Sequence, residues 1–195
     1  MELPLYKLVI SDDDTDGTGV TAVALVDAPA IQMNWMAFAK QQVFKTTNPE
    51  KRIISGPLMV ADQKIYRRDE QLGEYNVMFD AATIMKIVQK YFRHGNTNEV
   101  NLMHNENQKA GGVYMIESFV IDKERGIQTP KGFETLSEGS WFGSFKVDND
   151  EIWNEFIKTG TFKGFSVEGF FNNLEVNFSD SEIEIIRNLI QNRTI

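Results

Sequence analysis

Apolar and polar positions along this chain alternate mostly with the two-residue period of β-strands. Runs rich in β-branched and aromatic residues predict strands at 5–10, 20–26, 53–60, 65–67, 75–79, 100–103, 113–121, 141–147 and 165–171. We expect the first two strands to pair with each other across the polar, glycine-containing connection between them. The pattern therefore predicts a mainly antiparallel β structure.

Helical patterns interrupt the strands at three places. One helix should run from Asp80, which suits an N-cap, to about His94, where Gly95 closes it. A short helix is expected over residues 150–158. A last helix is expected over 179–192, where a capping box precedes an apolar stripe. All three are expected to pack around the strands.

Together the elements predict an α+β fold, a mainly antiparallel β-barrel-like domain surrounded by about three helices. No internal repeat and no low-complexity linker divides the sequence, so we expect residues 1–195 to form a single domain. Residues 33–48 have no clear period, which leaves a helix, an irregular excursion and a mobile segment as alternatives.

Composition excludes several classes of protein. The 195 residues are 42% hydrophobic, which a wholly disordered chain is not, and they contain no cysteine, which excludes disulfides, thiol nucleophiles and cysteine-based zinc sites. The net charge of −8 argues against nucleic acid as a partner. The sequence also lacks a long apolar run and a signal peptide, so we expect no membrane contact and no export.

An acidic run near the N-terminus matches the first half of a calcium-binding loop. Asp12, Asp14 and Asp16 have the spacing of its first three ligands, and Gly17 follows. The position that requires a bidentate glutamate holds Val23, so we expect a solvated turn instead. With only two histidines and no HExxH pattern, we expect no metal and no cofactor elsewhere.

His104 and Ser166 are the residues whose positions suggest chemistry. His104 follows a strand and precedes a polar loop, a place where reactive side chains are often held. Ser166 lies between Gly164 and Gly169 in an aromatic strand, which suits a nucleophile that a substrate carbonyl must approach closely. A bulged strand with a buried serine explains this pattern equally well. The α/β-hydrolase arrangement is excluded, because it needs a histidine after the nucleophile.

Six short motifs, in order, resemble the phage prohead (capsid maturation) proteases of XkdF-like type, which belong with the herpesvirus assemblin-like fold. The resemblance extends from about Val20 to Phe171. Its motifs occupy residues 24–30, 54–58, 101–104, 115–120, 138–147 and 160–167. Each motif is weak alone, and the series of six is fairly specific.

The resemblance implies a serine endopeptidase in which His104 is the general base and Ser166 the nucleophile. Glu117 is the first candidate for the residue that orients His104, because it lies on the strand that follows the histidine. Glu168 is the second candidate, at a position where the resemblance leads us to expect a small residue. A bulge at Gly169 would change the direction in which Glu168 points.

The resemblance also implies a setting and partners. The protein is expected in the host bacterial cytoplasm, inside the immature phage capsid, where scaffold and major capsid proteins are its substrates. A homodimer is implied too, because assemblin-like enzymes pair through helices. The alternatives are an inactive, protease-derived scaffold or assembly module of the procapsid, and a small binding module whose C-terminal helix is an oligomer handle.

Overall fold

The computed structural model describes residues 3–27, 44–48 and 51–175. The strands in these ranges are β1 (Leu5–Val9), β2 (Gly19–Val26), β3 (Lys45–Asn48), β4 (Ile53–Met59), β5 (Ile65–Asp69), β6 (Gly73–Met78), β7 (Val100–Leu102), β8 (Asn105–Lys109), β9 (Val113–Val120), β10 (Trp141–Val147), β11 (Gly164–Phe170) and β12 (Asn172–Glu175). The helices in these ranges are α1 (Ala81–Arg93), a 3₁₀ turn at Asn96–Asn98 and α2, a short π-helical segment (Ile152–Ile157). None of the helices in the described part is long and apolar enough to cross a membrane.

The strands form three four-stranded sheets, with the orders β12-β1-β6-β5, β3-β4-β10-β9 and β11-β2-β7-β8. We call the third the β2 sheet. The predicted α+β class and the dominance of strands are confirmed. The barrel-like closure is wrong for the described residues, because each sheet is open and ends in strands with one neighbour.

The predicted pairing of the first two strands is also wrong. β1 lies between β12 and the parallel strand β6, whereas β2 lies between β11 and the parallel strand β7. The connection between β1 and β2 does not form a hairpin, because it docks on helix α1. There the ammonium of Lys90 donates to the carbonyl of Asp13 at 2.7 Å and to the carboxylate of Asp16 at 2.8 Å.

Helix α1 begins and ends as predicted. The carboxylate of Asp80 accepts a hydrogen bond from the backbone N–H of Thr83 at 2.8 Å, and Gly95 has a φ of 71° just beyond the helix. The buried face of α1 reaches β10, where Tyr91 packs edge-to-face on Trp141. Helix α2 confirms the second predicted helix, and the helix predicted over 179–192 lies outside the described residues.

Three strands have no counterpart in the sequence prediction. One of them, β8, covers most of the polar loop that was expected after His104. All five of its side chains are exposed, so no alternation of apolar and polar residues marks it. Strand β3 lies in the part of residues 33–48 that the structure describes, and β12 follows β11 directly.

An aromatic cluster fixes β11 in place. Phe165 is 2% exposed, and its ring lies 4.8 Å from that of Phe145 and 5.1 Å from that of Phe44. Burial of such a side chain contributes about 2–3 kcal/mol. Because successive side chains of a strand point to opposite faces, this packing directs the neighbouring Ser166 to the face away from the cluster.

Candidate active site

Strand β2 brings Ser166 and Asn101 onto one row of its sheet. In the β2 sheet, Ser166 on β11 pairs with Ala24 on β2, and Ala24 pairs in turn with Asn101 on β7. Residues paired in this way share a face of the sheet, and neighbouring strands are about 4.8 Å apart. The backbones of Ser166 and Asn101 are therefore about 10 Å apart, with only the methyl group of Ala24 between them.

Glu168 spans this distance over β2. Its Oε1 atom accepts a hydrogen bond from Asn101 Nδ2 at 2.8 Å and lies 2.8 Å from His104 Nδ1. Glu168 starts on β11, opposite Ala22, and Asn101 lies two strands away. The carboxylate can cross the middle strand because alanines occupy the crossed positions, Ala22 and Ala24, on this face.

A tight turn directs the ring of His104 back over the sheet. Leu102 and Asn105 pair across a two-residue turn that consists of Met103 and His104. Their φ angles are 54° and 58°, the left-handed geometry of a hairpin turn that usually requires asparagine or glycine. Met103 and His104 are neither asparagine nor glycine, so their backbone is strained here, as the backbone at functional sites often is.

The environment of the His104–Glu168 pair determines which ring nitrogen is available. The side chains of His104 and Glu168 are only 14% and 20% exposed, so water screens the pair weakly. A carboxylate can only accept a hydrogen bond, so Nδ1 of a neutral imidazole carries the proton and Nε2 is left as an acceptor. This is the tautomer that a general base needs.

Ser166 lies on the same face as Glu168, two residues before it on β11. The stretch from 164 to 168 is regular, and the register shifts only between Glu168 and Gly169. The predicted bulge at Gly169 is therefore present, but it follows Glu168. Ser166 is half-buried, and its hydroxyl makes no hydrogen bond within the described part of the chain.

The glycine at 169 has a structural cause. A side chain there would collide with the backbone carbonyl of Gly19 on β2. Close approach of two strands, rather than approach of a substrate, explains this glycine.

Glu117, the first candidate for orienting His104, lies elsewhere. It is an exposed residue of β9, paired with Ser144, at the edge of the sheet that contains β4 and β10. The carboxylate in contact with His104 is that of Glu168. The structure therefore brings together His104 and Glu168 and does not bring Glu117 to them.

The acidic run near the N-terminus is more than a solvated turn. Three cations of helix α1 pair with its aspartates, Lys86 with Asp12, Arg93 with Asp14 and Lys90 with Asp16. Hydrogen bonds, first from Lys90 and then from the backbone of Thr18, lower the pKa of Asp16 to about 2. In the described ranges no group of three or more histidines and acidic residues is arranged to hold a metal.

Asn101 is the member of this site that the sequence prediction did not single out. It is a polar residue between the apolar Val100 and Leu102, and it is 4% exposed. A buried amide in a short apolar strand needs a hydrogen-bond partner, and this requirement is the feature of the sequence that could have pointed to Asn101. Its partner is Glu168, which is distant in sequence.

Comparison with known proteins gives a family for the chain. Residues 40–175, well over half of the sequence, match the family described as "Putative phage serine protease XkdF". No match was found among curated proteins or among solved structures. The matched region contains His104, Ser166, Glu168 and Asn101, while β2, the strand between them, lies before it. The chain belongs to the phage serine protease family of XkdF.

Proposed function

We propose that this protein is a serine endopeptidase that processes scaffold and major capsid proteins during maturation of a phage procapsid. In this proposal Ser166 is the nucleophile, His104 the general base and Glu168, rather than Glu117, the residue that orients His104. The observation that carries it is the contact of 2.8 Å between His104 Nδ1 and Glu168 Oε1 on the face that Ser166 occupies. Family membership supports the reaction class.

The proposed reaction gives a role to each of these groups. Ser166 Oγ attacks the carbonyl carbon of the scissile peptide while its proton passes to His104 Nε2. Glu168 stabilises the resulting imidazolium through Nδ1–H. The C–N bond then breaks as Nε2 returns the proton to the leaving amine, and an acyl-enzyme remains on Ser166. Water, deprotonated by Nε2, then attacks that ester, the bond between Ser166 Oγ and the acyl carbon breaks, and Nε2 returns the proton to Oγ. Backbone N–H groups beside Ser166 hold the oxyanion in both steps.

The setting belongs to the proposal as well. The enzyme acts in the host bacterial cytoplasm, inside the immature capsid, as a homodimer that uses no cofactor and binds no nucleic acid or membrane. An ancestry shared with the assemblin-like enzymes is part of the same proposal. The family name supports the phage context.

One observation favours a second candidate, an inactive protease-derived assembly module. The hydroxyl of Ser166 has no hydrogen bond within the described ranges, so no bond to His104 joins nucleophile and base. In proteases without substrate such bonds are often long, and they tighten when the substrate binds. An experiment must therefore decide between the two candidates.

Co-expression with the phage's own scaffold and capsid proteins, followed by mass spectrometry of the products, tests the proposal. Ser166→Ala and His104→Ala should each abolish cleavage while the protein stays folded. His94→Ala is the matched control, because the other histidine is exposed at the end of α1 and should leave cleavage unchanged. Unchanged processing in the Ser166 and His104 variants would refute the proposal, and absence of processing by the wild type would favour the inactive module.

A further inference from the structure

Asn101 makes the second hydrogen bond to the oxygen of Glu168 that faces His104. The Nδ2 atom of Asn101 donates to Glu168 Oε1 at 2.8 Å, and His104 Nδ1 lies at the same distance from the same oxygen. Both donors come from one short segment, β7 and the turn that follows it. The carboxylate arrives from a different strand, across β2, and meets both nitrogens with one oxygen atom.

The orientation of the Asn101 amide is determined by this contact. With Nδ2 toward the carboxylate, the amide donates a hydrogen bond, whereas the flipped amide would set its oxygen against the oxygen of Glu168. The Oδ1 atom of Asn101 is buried and has no hydrogen-bond partner in the described part of the chain. An unpaired buried oxygen destabilises a fold, so the residue is costly for stability at a position where an apolar side chain would pack.

The small residues of β2 leave few other means of holding Glu168. The carboxylate crosses above Ala22 and Ala24, whose methyl groups cannot donate a hydrogen bond. Without Asn101 the carboxylate would keep, among the described residues, only the imidazole as a hydrogen-bond partner. The Glu168 carboxylate would then move together with the His104 ring and could no longer hold that ring in one orientation.

We propose that Asn101 is a positioning residue, which holds the Glu168 carboxylate so that it fixes the ring and tautomer of His104. This inference rests on the proposed function for its effect on catalysis, but the arrangement of the three side chains can be tested without activity. Asn101 does not touch the substrate in this account. Its loss should therefore change the rate of the chemical step and leave substrate binding unchanged.

Kinetics of two variants give the first test. In Asn101→Ala, kcat should fall about 10- to 100-fold with little change in KM. Losses of this size are typical of residues that orient, by a hydrogen bond, the direct partner of a catalytic centre. In the near-isosteric Asn101→Leu, which cannot donate a hydrogen bond and also removes the unpaired Oδ1 atom, kcat should fall by the same factor while the protein stays folded. Asn96→Ala is the matched control, because Asn96 donates to the carbonyl of Val20 and does not contact Glu168.

Histidine NMR gives the second test and needs no substrate. The chain has two histidines, so the exposed His94 serves as an internal reference for His104. The downfield Nδ1–H signal of His104 should be present in the wild type and in Asn96→Ala. In both Asn101 variants it should shift or broaden, while the His94 signals stay in place.

The two possible failures are distinguishable. If the wild type cleaves no substrate, while the His104 signal still responds to Asn101→Ala, the proposed function fails and the positioning role stands. If both Asn101 variants retain the His104 signal and the kcat of the Asn96 control, the positioning role is wrong. Should Asn101→Ala fail to fold, the leucine variant, which cannot donate either, decides in the same way.

Discussion

Two clusters of polar side chains connect distant parts of this chain, one between helix α1 and the acidic loop and one on the β2 sheet. In the loop cluster the Lys90 ammonium donates to the carbonyl of Asp13, to the carboxylate of Asp16 and, at 3.5 Å, to the hydroxyl of Thr18. Three donor protons thus meet three acceptors. Asp16 also accepts a hydrogen bond from the backbone N–H of Thr18 at 2.9 Å, so the hydrogen-bonding capacity at the centre of the loop cluster is used.

The cluster on the β2 sheet is less complete. In the described ranges the Oδ1 atom of Asn101 is orphaned, and neither Nε2 of His104 nor the hydroxyl of Ser166 has a hydrogen bond. The turn that carries His104 has two residues with left-handed backbone that are neither glycine nor asparagine. Strain and unused hydrogen-bonding capacity coincide here.

The difference separates groups that stabilise a fold from groups that can react with a substrate. A saturated cluster has no atom left to bind a substrate, and its removal should cost stability alone. An unsaturated, strained cluster costs stability and offers atoms for chemistry. Substitutions in one cluster or the other, and a change of pH, test this difference.

The largest effect is expected from Glu168→Gln. A glutamine no longer fixes the proton on Nδ1 of His104, and loss of the correct tautomer costs about 10⁴-fold in kcat in serine triads. The measurement is the cleavage rate of purified capsid protein, with the melting temperature as a check on folding. Glu117→Gln, a change of the same chemistry at an exposed position of β9, should alter the rate by less than about twofold. Equal losses in both variants would contradict the assignment of Glu168.

Lys90→Met should produce the largest loss of stability among these variants. Lys90 is 3% exposed, and removal of its charge takes the ammonium donor from the carbonyl of Asp13 and from the carboxylate of Asp16, which keeps its hydrogen bonds from Thr18. We expect the free energy of unfolding to fall by about 1–3 kcal/mol, measured by urea denaturation. Lys86→Met, at the exposed pair with Asp12, should change it little. A similar loss in both variants would show that burial of Lys90 is unimportant.

Acid should weaken the loop cluster within a defined range. The pKa of Asp16 is about 2 in the folded protein, against an ordinary value of 3.8, chiefly because Lys90 donates to it. The lowered pKa means that ionised Asp16 favours folding. This contribution is complete above about pH 4 and is lost as the pH falls through about 2. Urea denaturation of the wild type and of Asp16→Asn should therefore differ most above pH 4 and converge near pH 2. A constant difference would contradict the lowered pKa.

The smallest effect is expected from Met103→Asn, which relieves strain in the turn. Asparagine tolerates the left-handed backbone that Met103 adopts at φ 54°. The variant should be more stable by about 1 kcal/mol and should retain its cleavage rate, because His104 keeps its position. Met115→Asn, on a strand with ordinary geometry, should not be stabilised. A destabilised Met103 variant would mean that its contact with the backbone N–H of Asp27 outweighs the strain.

The sequence was sufficient for elements with strong periodicity. Helix α1 and strands such as β10 were predicted with nearly correct ends, because apolar spacing and caps are local signals. Strand β8 was missed because its side chains are exposed and polar. The predicted pairing of β1 with β2 was wrong, because strand partners depend on contacts with residues far along the chain. Here the acidic loop between the two strands docks on α1.

The same limit explains the outcome at the site. His104 and Ser166 were identified as candidates from local context, and their catalytic roles stay predictions. The choice of Glu117 over Glu168 depended on order in the sequence, whereas the contact depends on which strands share a sheet. β11 and β7 both flank β2, and β9 belongs to another sheet. The small alanines that let Glu168 cross β2 became meaningful only with this topology.

The most direct measurement of the central claim is labelling by a fluorophosphonate, followed by peptide mapping of the modified residue. Free protein and assembled particles should both be treated, because assembly can complete the site. We predict modification of Ser166 in the wild type, none in Ser166→Ala, and a strongly slowed reaction in His104→Ala and Glu168→Gln. Absence of label on Ser166 in assembled particles would contradict the account and favour the inactive assembly module.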